Sequence, residues 1–375
     1  MKSITTVALI AGAVFVCSNA WAQDAPAEAE AAEAAPVVMK GWTDGQAPQV
    51  SPKDFVPQLS TEEAYTERYT FKITPDTGGH IDIDMTLSNL GWGDGHGATR
   101  IKVERPNKPK YEFSKKVDRD KWTTSEDSLD LSIAGTTLKS LGPNAFEIEH
   151  VDGDTKLMLK FQNNVPTWMP GRGKIDVKDG GFFKFHVLAP RATVTGKMFH
   201  EGEWHEIKST ARTYADHTAT NVAPFDLANR FSYFRAYEGD VTLVWREIKL
   251  GEEHGGESLT WILVGYKDQL VFADAGANLK YGSIREDETN GYRLPYAVQI
   301  DGTNAKDSIK LIMKGKRVKK TDLLANYGPA AKAVAGAVSN PFRYSFPCTF
   351  TLQMTIQGVS VQVKGKGSYT IDYVK

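Results

Sequence analysis

The strongest constraint on the fold is an alternation of apolar and polar side chains with a period of two. In the segment 65–73, Tyr69, Phe71 and Ile73 alternate with threonines and charged residues. The same period returns in residues 81–85 and 308–314. Successive side chains of a β-strand point to opposite faces, so this pattern predicts strands with one buried face.

Turn residues separate these segments throughout the chain. The sequence holds 33 Gly and 17 Pro, and the alternating segments recur about every 8–15 residues. Leu-rich helical periodicity is scarce. An all-β, antiparallel architecture is therefore predicted, and the length of 375 residues allows two domains.

The charge balance excludes one class of partner. The net charge is −1, from 45 basic and 46 acidic residues. Because binding to a phosphate backbone needs a basic excess, no nucleic-acid partner is predicted.

The N-terminus has the organisation of a secretory signal peptide. Lys2 supplies the positive charge, residues 7–16 the apolar core, and Ala20-Trp21-Ala22 the small-x-small cleavage site. Cleavage after Ala22 would direct the mature chain to the periplasm and leave Cys348 alone, without an internal disulfide. We expect Cys348 to be a buried, small apolar residue. Residues 23–58, rich in Ala, Glu and Pro, are predicted to be a disordered linker.

The stretch 190–248 carries the most specific combination of motifs. It begins with Pro190 and Arg191, followed by Val194 and Gly196. Asp216-His217, the aromatic run 231–234 (FSYF) and Gly239-Asp240 follow in order. In this order and spacing the stretch resembles the signature of the tandem-lipocalin group, which includes Svf1-like proteins, AttH-type periplasmic proteins and carotenoid 1,2-hydratases.

The resemblance implies two lipocalin-like antiparallel β-barrels in tandem. The expected N-terminal barrel spans residues 59–189 and the C-terminal barrel residues 190–375. Svf1-like proteins are linked to lipid handling and stress survival. We therefore expect a periplasmic protein that binds or transports a hydrophobic lipid in a barrel cavity.

Asp216 and His217 are the candidate catalytic residues. In the hydratase branch of the group this region reads YHDHNWG, where an Asp-His pair could move protons onto a carbon–carbon double bond. Here it reads YADHTAT, without the first His and the Trp-Gly. Three readings remain: a structural histidine at a barrel rim, a polar contact to a lipid headgroup, and catalysis.

The predicted ligand-binding set extends around this pair. Trp168 belongs to it because the flanking loop, residues 166–171, looks exposed. The set consists of Tyr214, Asp216, His217, Phe231, Tyr233, Arg235, Trp245 and Trp168.

Other catalytic motifs are missing from the sequence. His80, Asp82 and Asp84 share one strand face, but solvated carboxylates are commoner there than a metal site. The sequence contains no CxxC, HExxH or GxSxG, and no GxGxxG that opens a helix. No metal and no cofactor are predicted.

A basic segment precedes the one predicted helical region. Residues 314–324, from Lys314 to Leu324, form either a solvated strand end or a membrane-surface contact. Residues 321–338 are predicted to be a short helical segment, with Thr321 as N-cap and Pro329 as a restart.

Two alternatives to lipid binding stay open. The first is a hydratase- or isomerase-type enzyme on lipid or isoprenoid double bonds that uses Asp216 and His217. The second is a structural envelope protein whose barrels are filled by their own side chains.

Overall fold

The computed structural model describes residues 50–90, 95–210, 212–325 and 339–375, which form an all-β structure. The predicted signal peptide, most of the predicted linker and residues 326–338 of the predicted helical segment lie outside the described residues. The helices of the described residues are short. They are the 3₁₀ turns Pro52–Phe55, Arg119–Lys121, Lys178–Gly180 and Glu252–His254 and the α-helix Pro224–Leu227.

The first sheet combines strands from the beginning and the middle of the chain. It contains β1 (Thr66–Ile73), β2 (His80–Ser88), β3 (His96–Glu104), β4 (Tyr111–Val117), β10 (Lys174–Asp176), β11 (Phe182–Ala189) and β14 (Thr213–Thr220). Their spatial order is β10-β11-β14-β1-β2-β3-β4. The pairing is antiparallel, and Tyr69 of β1 lies opposite both Met85 and His217.

The second sheet is built from the intervening strands. It contains β5 (Trp122–Thr124), β6 (Asp130–Ile133), β7 (Thr136–Gly142), β8 (Ala145–Asp152), β9 (Thr155–Val165), β12 (Arg191–His200) and β13 (Glu203–Ser209). Their order is β13-β12-β9-β8-β7-β6-β5. Apolar side chains of both sheets, such as Phe71 and Phe161, enclose one shared core, the N-terminal core.

The third sheet holds the rest of the described chain. It contains β15 (Ala228–Glu238), β16 (Val241–Leu250), β17 (Ser258–Tyr266), β18 (Gln269–Asp274), β19 (Asn278–Glu286), β20 (Arg293–Asn304), β21 (Asp307–Gly315), β22 (Lys319–Asp322), β23 (Phe342–Ile356) and β24 (Val359–Tyr373). The order is β18-β17-β16-β15-β24-β23-β21-β20-β19, with β22 paired to β23. The expected inward positions Ile309, Leu311 and Met313 of β21 are buried in its core, the C-terminal core.

The prediction of closed barrels is wrong in detail, although the lipocalin-like all-β class is right. In none of the three sheets do the two end strands pair with each other among the described residues. A barrel requires that last ladder. The third sheet instead curls until β18 approaches β20, where Thr303 N donates to Asp274 Oδ2 at 2.9 Å and Asn304 Nδ2 to Ala273 O at 3.3 Å.

Strand pairing crosses the boundary expected at Pro190. β12, β13 and β14 follow Pro190 in sequence but belong to the two N-terminal sheets. The third sheet begins only at Ala228. The chain therefore divides between β14 and β15, because β14 completes the hydrogen-bonding of β1 and β11.

Two local predictions also change. Thr321 is not a helix N-cap, because Lys319–Asp322 forms β22 and Thr321 lies opposite Arg343 of β23. The backbone of these residues pairs with β23 in an antiparallel ladder and therefore does not start a helix. Cys348 is buried, as predicted, and burial raises the pKa of its thiol to about 11.

Candidate functional site

A polar cavity lies between the first and third sheets. We call it the interdomain cavity, and its volume is about 130 Å³. The period-two alternation builds its first wall: Arg68, Thr70 and Lys72 leave β1 on the side opposite Tyr69 and Phe71, which point into the N-terminal core. On β14 the same alternation brings Tyr214, Asp216 and Thr218 to this wall.

The second wall comes from the third sheet. Its outer face presents Tyr233 and Arg235 of β15, Val244 and Arg246 of β16 and Arg343 of β23. Trp245 of β16 also borders the cavity, but its side chain is buried in the C-terminal core. Since Tyr233 lies directly opposite Arg246 in the β15–β16 ladder, their side chains share one face.

Ion pairs hold three of the cations in this cavity. Arg68 Nη2 lies 2.7 Å from Asp84 Oδ1, and Lys72 Nζ lies 3.4 Å from Asp82. Burial alone raises the pKa of Asp84, but Arg68 and Lys72 outweigh it and hold that pKa below its ordinary value. Asp84 is therefore a largely buried carboxylate, 13% exposed, that pairs with cations of the interdomain cavity, and not the solvated residue that the sequence suggested.

Arg343 is fixed in the same way on the opposite wall. Its Nε and Nη2 donate to the two oxygens of Asp372 at 2.6 and 2.8 Å, a bidentate pair. The Asp372 side chain is fully buried. Both walls thus present arginines whose positions are set by carboxylates.

Asp216 and His217 point to opposite sides of β14. Asp216 faces the interdomain cavity, where its Oδ2 lies 3.9 Å from Arg246 Nη1. His217 points into the N-terminal half, and its Nε2 lies 2.6 Å from Glu67 Oε1. Consecutive strand residues cannot meet on one face, so the two do not form one acid–base pair.

Glu67 and His217 form a buried polar cluster with two tyrosines. Glu67 accepts hydrogen bonds from Tyr65 Oη at 2.6 Å, from Tyr69 Oη at 3.3 Å and from Gln58 N at 2.9 Å, besides its contact with His217. Burial raises the pKa of Glu67, but these donors, His217 first, outweigh it and lower the pKa. Burial lowers the pKa of His217, and Glu67 opposes this only in part. The arrangement is an anionic glutamate and a neutral histidine inside the protein, not at a rim.

The predicted ligand-binding residues separate into two groups. Five line the interdomain cavity, namely Tyr214, Asp216, Tyr233, Arg235 and Trp245. His217 and Trp168 are buried elsewhere, and Phe231 packs against Phe183 with ring centroids 6.5 Å apart. The exposure expected for Trp168 is wrong, because its backbone pairs with Val187 in both directions and carries the ring into the C-terminal core.

A second, more apolar cavity lies in the N-terminal half and was not predicted. This N-terminal cavity has a volume of about 320 Å³. Its apolar lining comes from Leu59, Tyr65, Leu87 and Trp122. The rest of the lining consists of the uncharged residues Ser60, Thr61, Ser88, Asn89 and Gly95 and the cationic Arg119. Leu59 and Tyr65 precede β1 in the chain, but no sequence motif joins them to Leu87 and Trp122.

Polar side chains fill part of the interior of the third sheet. Glu247 is fully buried and accepts from Arg230 Nη2 at 2.9 Å, Ser232 Oγ at 2.7 Å and Tyr281 Oη at 2.5 Å. Burial raises the pKa of Glu247, but Arg230 outweighs it and the pKa is lowered. This network joins β15, β16 and β19 across the curled sheet.

Clusters of metal-binding side chains and membrane-spanning helices are absent from the described ranges. No group of three or more His, Cys, Asp or Glu side chains among them could hold a metal ion. None of the helices in the described part of the chain has the length and hydropathy required to cross a bilayer.

The sequence model of the Svf1 family matches residues 18–372. The chain belongs to the Svf1 family. A ceramide-binding protein SVF1 from Yarrowia lipolytica (strain CLIB 122 / E 150) is 22% identical over 252 residues, which cover 59% of this chain. The match spans 61% of that relative's length.

Solved structures share the fold at low sequence identity. An AttH-type protein from Nitrosomonas europaea has a TM-score of 0.52 at 13% identity, with 88% of this chain and 98% of the other covered. CghA bound to Sch210972 has a TM-score of 0.57 at 10% identity, with 91% and 96% covered. Kievitone hydratase from Nectria haematococca has a TM-score of 0.50 at 11% identity, with 89% and 95% covered. These similarities concern the fold alone.

The Svf1-family signature lies largely where the two halves meet. Arg191 Nη1 donates to Gly239 O at 3.2 Å, and Tyr237 Oη donates to Pro190 O at 3.2 Å and to Thr213 O at 3.1 Å. The motif residues around Pro190 and Gly239 therefore fasten the N-terminal half to the third sheet.

Proposed function

We propose that this Svf1-family chain binds a neutral amphipathic lipid of the ceramide class, with a hydrocarbon chain in the N-terminal cavity. One observation carries the proposal: a cavity of about 320 Å³ lined by Leu59, Tyr65, Leu87 and Trp122. Ligand pockets are typically concave, mainly apolar and edged by a few polar groups. The name of the Yarrowia relative supports the same class of ligand.

Most polar groups at the edge of the cavity are uncharged and suit an uncharged headgroup; the exception is Arg119, whose guanidinium lies over the Trp122 ring. Ser60, Thr61, Ser88 and Asn89 offer hydroxyl and amide groups, which match the amide and hydroxyl groups of a ceramide. Ligand pockets usually have volumes of roughly 300–1,000 Å³. The N-terminal cavity is near the lower end of this range, so it accommodates one hydrocarbon chain and not a whole two-chain lipid. The second chain would remain outside the cavity.

Leu59 marks the mouth of the cavity. Its side chain is 41% exposed, and its backbone has a φ of +34°, a left-handed value that is unfavourable for leucine. Residues held in strained backbone conformations cluster at ligand clamps, active sites and switch regions. A bound chain would cover Leu59 and remove its apolar surface from water.

Lipid binding is favoured over the two alternatives. Asp216 and His217 lie on opposite faces of β14 and cannot act together on one double bond, which removes the residue basis for the hydratase reading. The apolar cavity argues against an N-terminal half filled by its own side chains. Within the basic segment 314–324, Lys320 Nζ lies 2.7 Å from Asp287 and over the Phe342 ring, whereas Lys314, Lys316, Arg317 and Lys319 are exposed, so a membrane-surface contact stays a prediction.

The location is a further part of the proposal. The predicted signal peptide and its cleavage after Ala22 would place the mature protein in the periplasm. Fractionation of cells that express the full chain, with N-terminal sequencing of the released protein, tests this. A full-length chain that stays with the cytoplasmic fraction would contradict it.

Binding of a fluorescent short-chain ceramide to the purified protein tests the function. Leu59→Asp should raise Kd about tenfold, because it removes apolar contact of roughly 1–2 kcal/mol at the mouth. Thr61→Trp should block the cavity. Leu141→Asp is the matched control, since Leu141 is an exposed leucine (56%) of β7 that does not line the cavity. Equal affinity of all four proteins, or no saturable binding, would overturn the proposal.

A further inference from the structure

The interdomain cavity carries more positive than negative charge. Five cationic side chains line it, Arg68, Lys72, Arg235, Arg246 and Arg343. Four carboxylates neutralise them in part: Asp216 in the lining, and Asp82, Asp84 and Asp372 through ion pairs. Five cations against four carboxylates leave one net positive charge in a partly buried space.

Arg235 is the cation without a carboxylate within 4 Å among the described residues. Its guanidinium carbon lies 4.3 Å from the centroid of the Tyr214 ring and 5.6 Å from that of Tyr233. Stacking on aromatic faces holds a guanidinium in place and leaves its N–H groups free to donate. Arg235 is therefore a preorganised donor in the cavity.

Arg246 is the second incompletely paired cation. Its guanidinium carbon lies 4.6 Å from the Phe185 ring centroid, and its Nη1 is 3.9 Å from Asp216 Oδ2, too far for a hydrogen bond. Its Nε is buried and has no hydrogen-bond partner among the described residues. A buried N–H without an acceptor is costly, so an oxygen atom from outside the protein is expected there.

The size of the cavity limits what could supply that oxygen. A volume of about 130 Å³ equals roughly four water molecules at about 30 Å³ each. This is enough for a tetrahedral oxyanion and too small for a lipid chain. Arginine forks match the paired oxygens of phosphate better than they match a single halide.

We propose that the interdomain cavity is a binding site for a phosphate-type oxyanion, held by Arg235 and Arg246 and framed by Arg68 and Arg343. The site is separate from the N-terminal cavity and does not depend on the proposed ceramide binding. By joining β15 and β16 to the wall formed by β1 and β14, the anion would also stabilise the contact between the two halves.

Titration of the purified full chain with inorganic phosphate, against chloride at matched ionic strength, tests the site. Calorimetry should show saturable binding at one site and a rise in melting temperature. Arg235→Gln and Arg246→Gln should each raise Kd roughly tenfold or more. Lys364→Gln and Lys366→Gln are the matched controls, since both remove an exposed lysine outside the cavity.

The Arg235→Lys variant distinguishes weaker phosphate binding from a folding defect. It keeps the charge but loses the fork, so it should fold like the parent protein and still bind phosphate more weakly. Absence of saturation well above roughly 1 mM phosphate, or equal weakening in the lysine controls, would overturn the site. The short-chain ceramide titration should be unchanged in Arg235→Gln, which separates this result from a failure of lipid binding.

Vesicles distinguish the two sources of the anion. Phosphatidylcholine vesicles with and without phosphatidic acid are added to the phosphate-saturated protein. Displacement of phosphate only by the vesicles that contain phosphatidic acid assigns the site to a lipid phosphate. Retention of phosphate in both assigns it to the free ion, and either result supports the oxyanion site.

Discussion

The rings of Tyr69 and His217 lie parallel, with centroids 4.3 Å apart and planes 3° apart. The two residues face each other across the β1–β14 ladder. This stacking holds the His217 ring where its Nε2 reaches Glu67. It also keeps the His217 side chain inside the N-terminal half, although His217 follows Pro190 in sequence. His217 is thus a structural residue of the β1–β14 contact.

Replacing His217 with Ala should lower the free energy of unfolding by about 3 kcal/mol, because the buried Glu67 carboxylate loses a donor and a cavity remains. Urea denaturation at pH 7 measures this. Thr218→Ala, on the next position of the same strand but facing the interdomain cavity, should cost about 1 kcal/mol or less. An equal decrease in the free energy of unfolding for both variants would contradict the placement of His217 and Thr218 on opposite faces of β14.

Arg230→Met should destabilise the third sheet by about 3–5 kcal/mol, because Glu247 would stay buried as a charge without its cation. The double variant Arg230→Met with Glu247→Met should recover much of this loss, since no buried charge then remains. Thermal and urea unfolding of both variants measure the difference. A double variant less stable than the single one would show that packing, not charge, dominates at this position.

The pH dependence of stability should contain a component from His150. Its Nε2 lies 2.8 Å from Tyr111 Oη, and its Nδ1 lies 2.8 Å from Thr136 Oγ1. Burial lowers the pKa of His150 to about 4. The unfolded chain, with a histidine pKa of about 6.5, takes up the proton first as the pH falls. The contribution of the neutral, buried His150 to the free energy of unfolding is therefore fully present above about pH 6.5 and is lost as the pH falls toward 4.

Urea denaturation between pH 7 and pH 4 tests this for the parent protein and His150→Gln. The stability difference between the two should shrink as the pH falls, by up to about 1.4 kcal/mol per pH unit. A difference that stays constant over this range would show that His150 does not titrate as described.

Gly196→Ala should destabilise the protein by about 2–3 kcal/mol. A Cβ at this position would lie 2.0 Å from Met158 O and 3.0 Å from Leu159 Cα, both backbone atoms of the neighbouring β9. Gly282→Ala in β19 is the control, because its Cβ would meet only Ala297 Cβ of the neighbouring β20, at 3.7 Å. Thermal denaturation should show little change in melting temperature for the control. An unchanged melting temperature in Gly196→Ala would contradict the close approach of position 196 to the β9 backbone.

The strands themselves were predictable, because their signal is local. The alternation in residues 65–73 and 308–314 reports which side chains share a face, and β1 and β21 follow it. The same rule brings Tyr214 with Asp216 and Tyr233 with Arg235 to single faces, and five of the twelve residues that line the interdomain cavity were in the predicted ligand-binding set. The Svf1-like signature was likewise sufficient to identify the family.

What the sequence determined by itself is therefore the set of strands, the side chains that share each face, and the family. The tertiary structure decided which strands meet. Arg68 lies opposite Thr218, and no local pattern links positions so far apart. That pairing moved the division of the chain beyond Pro190, left the sheets open, separated Asp216 from His217, and assembled the N-terminal cavity from Leu59, Leu87 and Trp122. Hydrogen bonding between distant strands and the burial of side chains depend on the whole fold, so only the folded chain reveals them.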